Sequence, residues 1–121
     1  MPIFHSQLSA VPSTTERIFR EIGRDALGPG KPNIHENVLV PGARIPLHQH
    51  EVEEIIVCLA GTATCSFNGG APQSYGAGSV LIIPPNTPHT IINTGSDLLR
   101  QIAFFPADRN THWLEPPGSV A

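Results

Sequence analysis

The stretch GARIPLHQHEVEEIIVCLAG, residues 42–61, sets two histidines one residue apart, then three glutamates within four positions, then a nearly unbroken apolar run. Residues two apart lie about 200° apart around a helix but on the same side of a strand. A strand therefore aims His48 and His50 in one direction. The run from Ile55 to Leu59 carries the Ile and Val that suit a pleated surface, and Gly61 stops it, so the stretch reads as a strand of ordinary length. Pro46 is tolerable near the start, where a missing donor costs little. Counting by twos from His48 reaches His50, Val52, Glu54, Ile56 and Cys58. Glu51 and Glu53 have the opposite parity, so only Glu54 joins the histidines.

The rest of the chain limits what that face belongs to. With 121 residues, 40% of them hydrophobic, it reads as a single domain over residues 1–121, large enough to bury a core. Thirteen prolines and eleven glycines fall between short apolar segments rather than in one tract, which predicts turns in an all-β domain. Seven basic against ten acidic residues give a formal charge of −3 with no basic run, a poor footprint for nucleic acid or an anionic membrane surface. A small-molecule partner is expected instead. The opening MPIFHSQLSAVPSTTERIF lacks a basic region followed by an apolar core, and nowhere do roughly 18 apolar residues run together, so no membrane association and a cytoplasmic location are expected.

Segments of strand character recur at short intervals: MPIFHSQL, ERIFREIG, NIHENVLV, LHQHEVEEIIVCLA, TATCSFNG, SVLIIP, HTIINTG and LLRQIAFFP. This spacing points to a sandwich or barrel. The second segment also fits a short amphipathic helix capped by Thr14 or Thr15. NGG at residues 68–70 signals a hairpin turn, and GPGKP at 28–32 a loop. The segment after Pro106 is rich in loop formers, with Trp113 and Leu114 its main apolar anchor, and is expected to lie over the body or against a second subunit. Two cysteines without a secretion signal read as free thiols in the core. A two-residue turn at Gly61 and Thr62 would set Cys58 directly opposite Cys65.

The second informative stretch is GSVLIIPPNTPHTIIN, residues 78–93. A proline-rich turn follows a buried-looking strand, and His89 opens the next. That turn carries His89 back toward the face holding His48, His50 and Glu54.

Gly42, five residues, His48-x-His50, three residues, Glu54, six residues and Gly61 reproduce the first motif of the cupin family, which the chain resembles. Gly78, five residues, Pro84-x-Asn86, two residues, His89, three residues and Asn93 reproduce the second, with Asn86 where the pattern usually has glycine. Asparagine best tolerates a left-handed backbone among the other residues, so the turn is expected to survive. The resemblance implies a cupin double-stranded β-helix, a jelly-roll barrel open at one end, with one divalent metal on its inner wall. It makes His48, His50, Glu54 and His89 the ligands. Imidazole and carboxylate suit Fe, Mn, Ni, Cu, Co or Zn, and four ligands on an octahedral ion leave two positions for water, substrate or dioxygen.

Among catalytic candidates beyond metal binding, Glu54 is the available base, and Arg44 shares the parity of His48 and is expected to hold a substrate oxygen if the strand runs straight there. Ile91, Phe67, Phe104 and Phe105 are candidate pocket walls, Arg100 points either way, and His5, His35 and His112 read as structural. The leading functional reading is a metal-dependent dioxygenase-type oxidoreductase. An isomerase, lyase or decarboxylase is the non-oxidative alternative, and a module that binds a sugar or small acid without catalysis is the third. Ile55, Val57 and Leu59 have the parity opposite to the ligands, an apolar face that predicts a homodimer.

Overall fold

The computed structural model describes residues 3–12 and 15–119. Its ten strands and one short helix run in the order β1 (Arg17–Glu21), α1 (Gly23–Leu27), β2 (Asn33–Leu39), β3 (Arg44–Gln49), β4 (Glu54–Ala60), β5 (Thr62–Phe67), β6 (Gln73–Gly76), β7 (Val80–Ile83), β8 (His89–Asn93), β9 (Leu99–Phe105) and β10 (His112–Trp113). They form two five-stranded antiparallel sheets, ordered β1-β2-β9-β4-β7 and β10-β3-β8-β5-β6. This is the jelly-roll, double-stranded β-helix architecture expected from the sequence.

Period-two alternation builds the interior. In β9, Leu99, Gln101, Ala103 and Phe105 are buried while the residues between them are not, and β8 buries His89, Ile91 and Asn93 in the same rhythm. Inward residues of both sheets meet in one core containing Leu39, Ile56, Ile83, Ile91 and Leu99, which is how a face-to-face pair of sheets removes apolar surface from water. Among the described residues no helix is long and apolar enough to cross a membrane.

Three expectations are corrected. The segment from His48 to Ala60 is two strands, because residues 50–53 carry the chain from one sheet to the other. Cys58 and Cys65 do not form a cross-strand pair: β4 and β5 lie in different sheets, and Gly61 makes the crossing. Gly61 adopts φ 87°, and a Cβ there would stand 2.6 Å from the carbonyl oxygen of Leu98, so both conformation and space require glycine. Both cysteines are buried free thiols. In the first expected strand, residues 3–8 form no strand and residues 1–2 lie outside the described set. That segment is held by polar contacts: Ser6 donates to the Glu36 carboxylate, Arg20 to the carbonyl of His5, and Arg100 to the carbonyls of Leu8 and Ala10. Arg100 thus serves the outer surface.

The helix alternative for the second segment resolves mostly as β1, with only Gly23–Leu27 helical; Thr14 lies outside the described residues. The NGG turn forms as expected between β5 and β6, with Asn68 at φ 52° and Gly70 N–H donating to the Phe67 carbonyl at 2.8 Å. The short strands β6 and β10 had no sequence signal. The carboxy-terminal segment runs over the body and contributes β10, which sets Trp113 opposite His48.

Candidate metal centre

His48 on β3 stands directly opposite His89 on β8, so strand pairing alone brings two imidazoles together. His50 follows the end of β3, its carbonyl accepting the Asn86 N–H at 2.7 Å. Asn86 has φ 55°, the left-handed conformation expected where the motif usually has glycine. Glu54 opens β4 in the facing sheet. The four residues are all buried, and one ligand atom from each lies within 4.8 Å of the others.

Each imidazole is turned by its outer nitrogen. His48 Nδ1 is 2.6 Å from the carbonyl oxygen of Pro46, and His89 Nδ1 is 2.8 Å from that of Thr87. A carbonyl only accepts, so Nδ1 carries the proton in both rings and Nε2 keeps its lone pair. His50 Nδ1 pairs at 3.0 Å with the Thr111 hydroxyl, which accepts from Arg109 Nη1 at 2.9 Å. This is the outer tethering that fixes ring orientation and tautomer in metal sites.

The inward atoms, by contrast, lack partners. Glu54 Oε1 lies 3.3 Å from Nε2 of both His50 and His89, contacts that become hydrogen bonds only where those nitrogens carry a proton. Glu54 Oε1 and His89 Nε2 are buried without any hydrogen-bond partner among the described residues. Leaving such groups unpaired costs about 1–3 kcal/mol each, more for a charge. A cation shared by the four ligands satisfies both at once, so the donor set fits a divalent transition metal.

The protonation states agree. Burial would raise the Glu54 carboxyl, but the His50 and His89 imidazoles outweigh it and hold the pKa down to about 2. Burial, reinforced by His89, lowers His48 to about 3. At neutral pH the carboxylate is ionised and His48 neutral, the forms a metal requires.

Beside the ligands opens a cavity of about 110 Å³. Phe105 packs its ring 5.0 Å from that of His50, and Trp113 lies 4.8 Å from His48, so aromatic surface flanks two ligands. His35, Arg17 and Arg109 also line the cavity, and sequence reasoning did not place them there. His35 sits between Phe19 and Phe105, at ring separations of 4.5 and 4.7 Å, and burial with Arg109 nearby lowers its pKa to about 3. Arg17 and His35 share only inward parity on β1 and β2, which marks any half-buried strand, and Arg109 sits in the irregular segment between β9 and β10, which carries no periodic signal. Of the expected walls, Phe105 lines this cavity, Phe67 and Ile91 pack in or against the core, and Phe104 faces outward.

Arg44 does not reach the cavity. The register shifts between Ile45 and His48, where three steps on β3 match two on β8. Such a bulge at Pro46 reverses the parity upstream, so Ile45 turns inward and Arg44 outward. Arg44 is exposed and pairs with Glu115 at 3.0 Å.

The profile of the family described as "Cupin domain" matches residues 36–114. None of the curated proteins matches the sequence. Among solved structures, the chain resembles an uncharacterized conserved protein with a double-stranded β-helix domain from Klebsiella pneumoniae subsp. pneumoniae MGH 78578. That likeness has 20% identity and a TM-score of 0.78 over 95% of this chain and 98% of that one. Oxalate oxidase in complex with the substrate analogue glycolate is 19% identical, with a TM-score of 0.74 over 92% of this chain and 63% of that one. Oxalate decarboxylase from Bacillus subtilis is 21% identical, with a TM-score of 0.70 over 84% of this chain and 30% of that one.

Proposed function

The chain belongs to the cupin family, and from that premise we propose that it is a divalent-metal-dependent oxidoreductase of the dioxygenase type acting on a small organic molecule. The observation that carries the reading is the pair of buried, unpartnered atoms, Glu54 Oε1 and His89 Nε2, at the centre of three outwardly tethered imidazoles. His48, His50, Glu54 and His89 would hold the ion. Bound there, it would supply Lewis-acid chemistry and, if redox-active, electron transfer to dioxygen.

The protein's own part is positioning and exclusion. Backbone carbonyls and Thr111 fix the imidazole rings, while Phe105 and Trp113 cover His50 and His48 with aromatic surface. Among the described residues lining that cavity, Glu54 carries the only carboxylate, which makes it the group available to accept a substrate proton. The likeness to an oxalate oxidase and an oxalate decarboxylase supports a reaction on a compact molecule, and the small cavity agrees with that size.

Two further parts of the reading concern setting. We place the protein in the cytoplasm, where its free Cys58 and Cys65 thiols would stay reduced. We also propose a homodimer formed through the outer face of β4 and β7, where Ile55, Leu59, Val80 and Ile82 are exposed side by side with Phe104 of β9.

The test is metal analysis of protein purified without added metal, joined to oxygen-consumption assays on β-dicarbonyl, flavonol and hydroxy-acid compounds, with His48→Ala as control. Near-stoichiometric metal with uptake abolished in the variant is expected. Metal with anaerobic turnover moves the assignment to isomerase, lyase or decarboxylase chemistry. No metal after reconstitution overturns the metalloenzyme and leaves a binding barrel.

A further inference from the structure

Arg17 is 3% exposed and lies on the inner face of β1, at the cavity. Its guanidinium donates to two backbone carbonyls, Nη1 to Arg44 and Nη2 to Pro117, both at 2.8 Å. Carbonyl dipoles orient the fork but bring no neutralising charge. Among the described residues no carboxylate comes within ion-pair distance of it; Glu16, the adjacent acid, acts on it only through its field. The second cavity cation, Arg109, differs in this respect, because its Nε lies 4.0 Å from Glu21 Oε1.

A buried guanidinium without a counter-charge is costly and calls for a partner. Its position indicates which. The guanidinium carbon lies 5.9 Å from the centre of the Trp113 ring, and that ring lies 4.8 Å from His48. Arg17 and the ligand cluster are thus two poles of one cavity, separated by an indole. The cavity volume of about 110 Å³ is below the ~150 Å³ of an engineered cavity that takes benzene. Only a compact molecule, no larger than about the size of benzene, suits it.

We infer that Arg17 is a substrate-recognition residue and that the cavity takes a small organic acid, its carboxylate on Arg17 and a second oxygen donor at the His48, His50, Glu54 and His89 end. The second half rests on the metal-site reading; the first does not. Charge-assisted, two-pronged hydrogen bonding to a carboxylate is what a planar guanidinium does best. A neutral substrate would leave the cation unbalanced.

Trp113 is the only tryptophan in the chain and touches both poles, so its fluorescence reports on either. The experiment titrates malonate, and separately its dimethyl ester, into the wild type and Arg17→Met, each metal-free and each loaded with manganese(II). Manganese stoichiometry is measured in both proteins. Malonate is expected to bind the wild type in both states, the diester in neither, and Arg17→Met to lose roughly tenfold or more in malonate affinity in both states while binding manganese as before. Arg17→Lys, which keeps the charge but not the fork, should recover part of the loss. Equal malonate affinity in wild type and Arg17→Met overturns the inference. So does equal binding of acid and diester by the metal-free wild type, a comparison that needs no variant to fold. If the wild type takes neither manganese nor iron, nickel, copper, cobalt or zinc, the metal-site reading falls, and the Arg17 subsite is decided by the metal-free titrations alone.

Discussion

Replacing His35 with phenylalanine should make the metal-free protein less sensitive to acid. His35 is neutral in the fold because burial, with Arg109 beside it, lowers its pKa from 6.5 to about 3. In the unfolded chain the same ring takes up a proton near its ordinary pKa. Between those values the unfolded state binds more protons, so this histidine's contribution to stability is fully present above pH 6.5 and is lost as pH falls toward 3. The slope is ~1.4 kcal/mol per pH unit, about 2 kcal/mol lost on going from about pH 7.5 to about pH 5. His48, lowered to about 3 by burial and by His89, contributes a similar amount with the same sign. Glu54, held at about 2, begins to titrate in the unfolded chain only near the ordinary carboxylate value of 4.5 and adds little in this window. Metal-free wild type should therefore lose about 4 kcal/mol, and His35→Phe about half of that. Urea denaturation of both proteins across the window measures the slopes, which are insensitive to any constant offset from repacking against Phe19 and Phe105. Identical slopes in the two proteins would refute the neutral buried imidazole.

Thr111→Val removes the partner of His50 Nδ1 and should weaken metal binding roughly 10- to 100-fold, read by competition with a chromophoric chelator, while thermal stability of the metal-free form changes little. Unchanged affinity would show that the tether does not matter. Ile82 is 70% exposed on β7, so Ile82→Glu should leave the monomer folded and abolish the dimer, as measured by sedimentation. A variant that remains dimeric assigns the interface elsewhere. Burial raises the pKa of both thiols, that of Cys65 to about 12, so neither should react with a disulfide reagent except through unfolding. Fast stoichiometric labelling of the native protein would contradict that packing.

The fold and the gathering of His48, His50, Glu54 and His89 into one buried cluster were legible in the sequence because motif spacing encodes them twice. Chain spacing sets His48, His50 and Glu54, while the proline-rich turn before His89 returns the chain to its neighbour. Counting parity through one continuous strand reached Glu54 although the strand does not exist. The chain leaves one sheet after His50 and enters the facing sheet at Glu54, and inward on either sheet is the same interior. Arg44 failed under the same counting because a single bulge at Pro46 reverses inside and outside, and nothing in the local composition announces it. Arg17, His35 and Trp113 were illegible for a different reason. Each is remote in sequence from the motifs and reaches the cavity through strand pairing, β1 with β2 and β10 with β3, a register that local pattern does not specify. The two-residue β10 has no apolar alternation to reveal it.

Glu54 belongs to one sheet, whereas His48 and His89 belong to the other. An ion joining them would act as a rivet through the sandwich, fastening two layers otherwise held there by side-chain packing. Without it, the carboxylate and the imidazoles would face each other across a seam between the two sheets with no bond to close it. Metal supply would then govern how long the chain survives proteases, as well as what chemistry it performs.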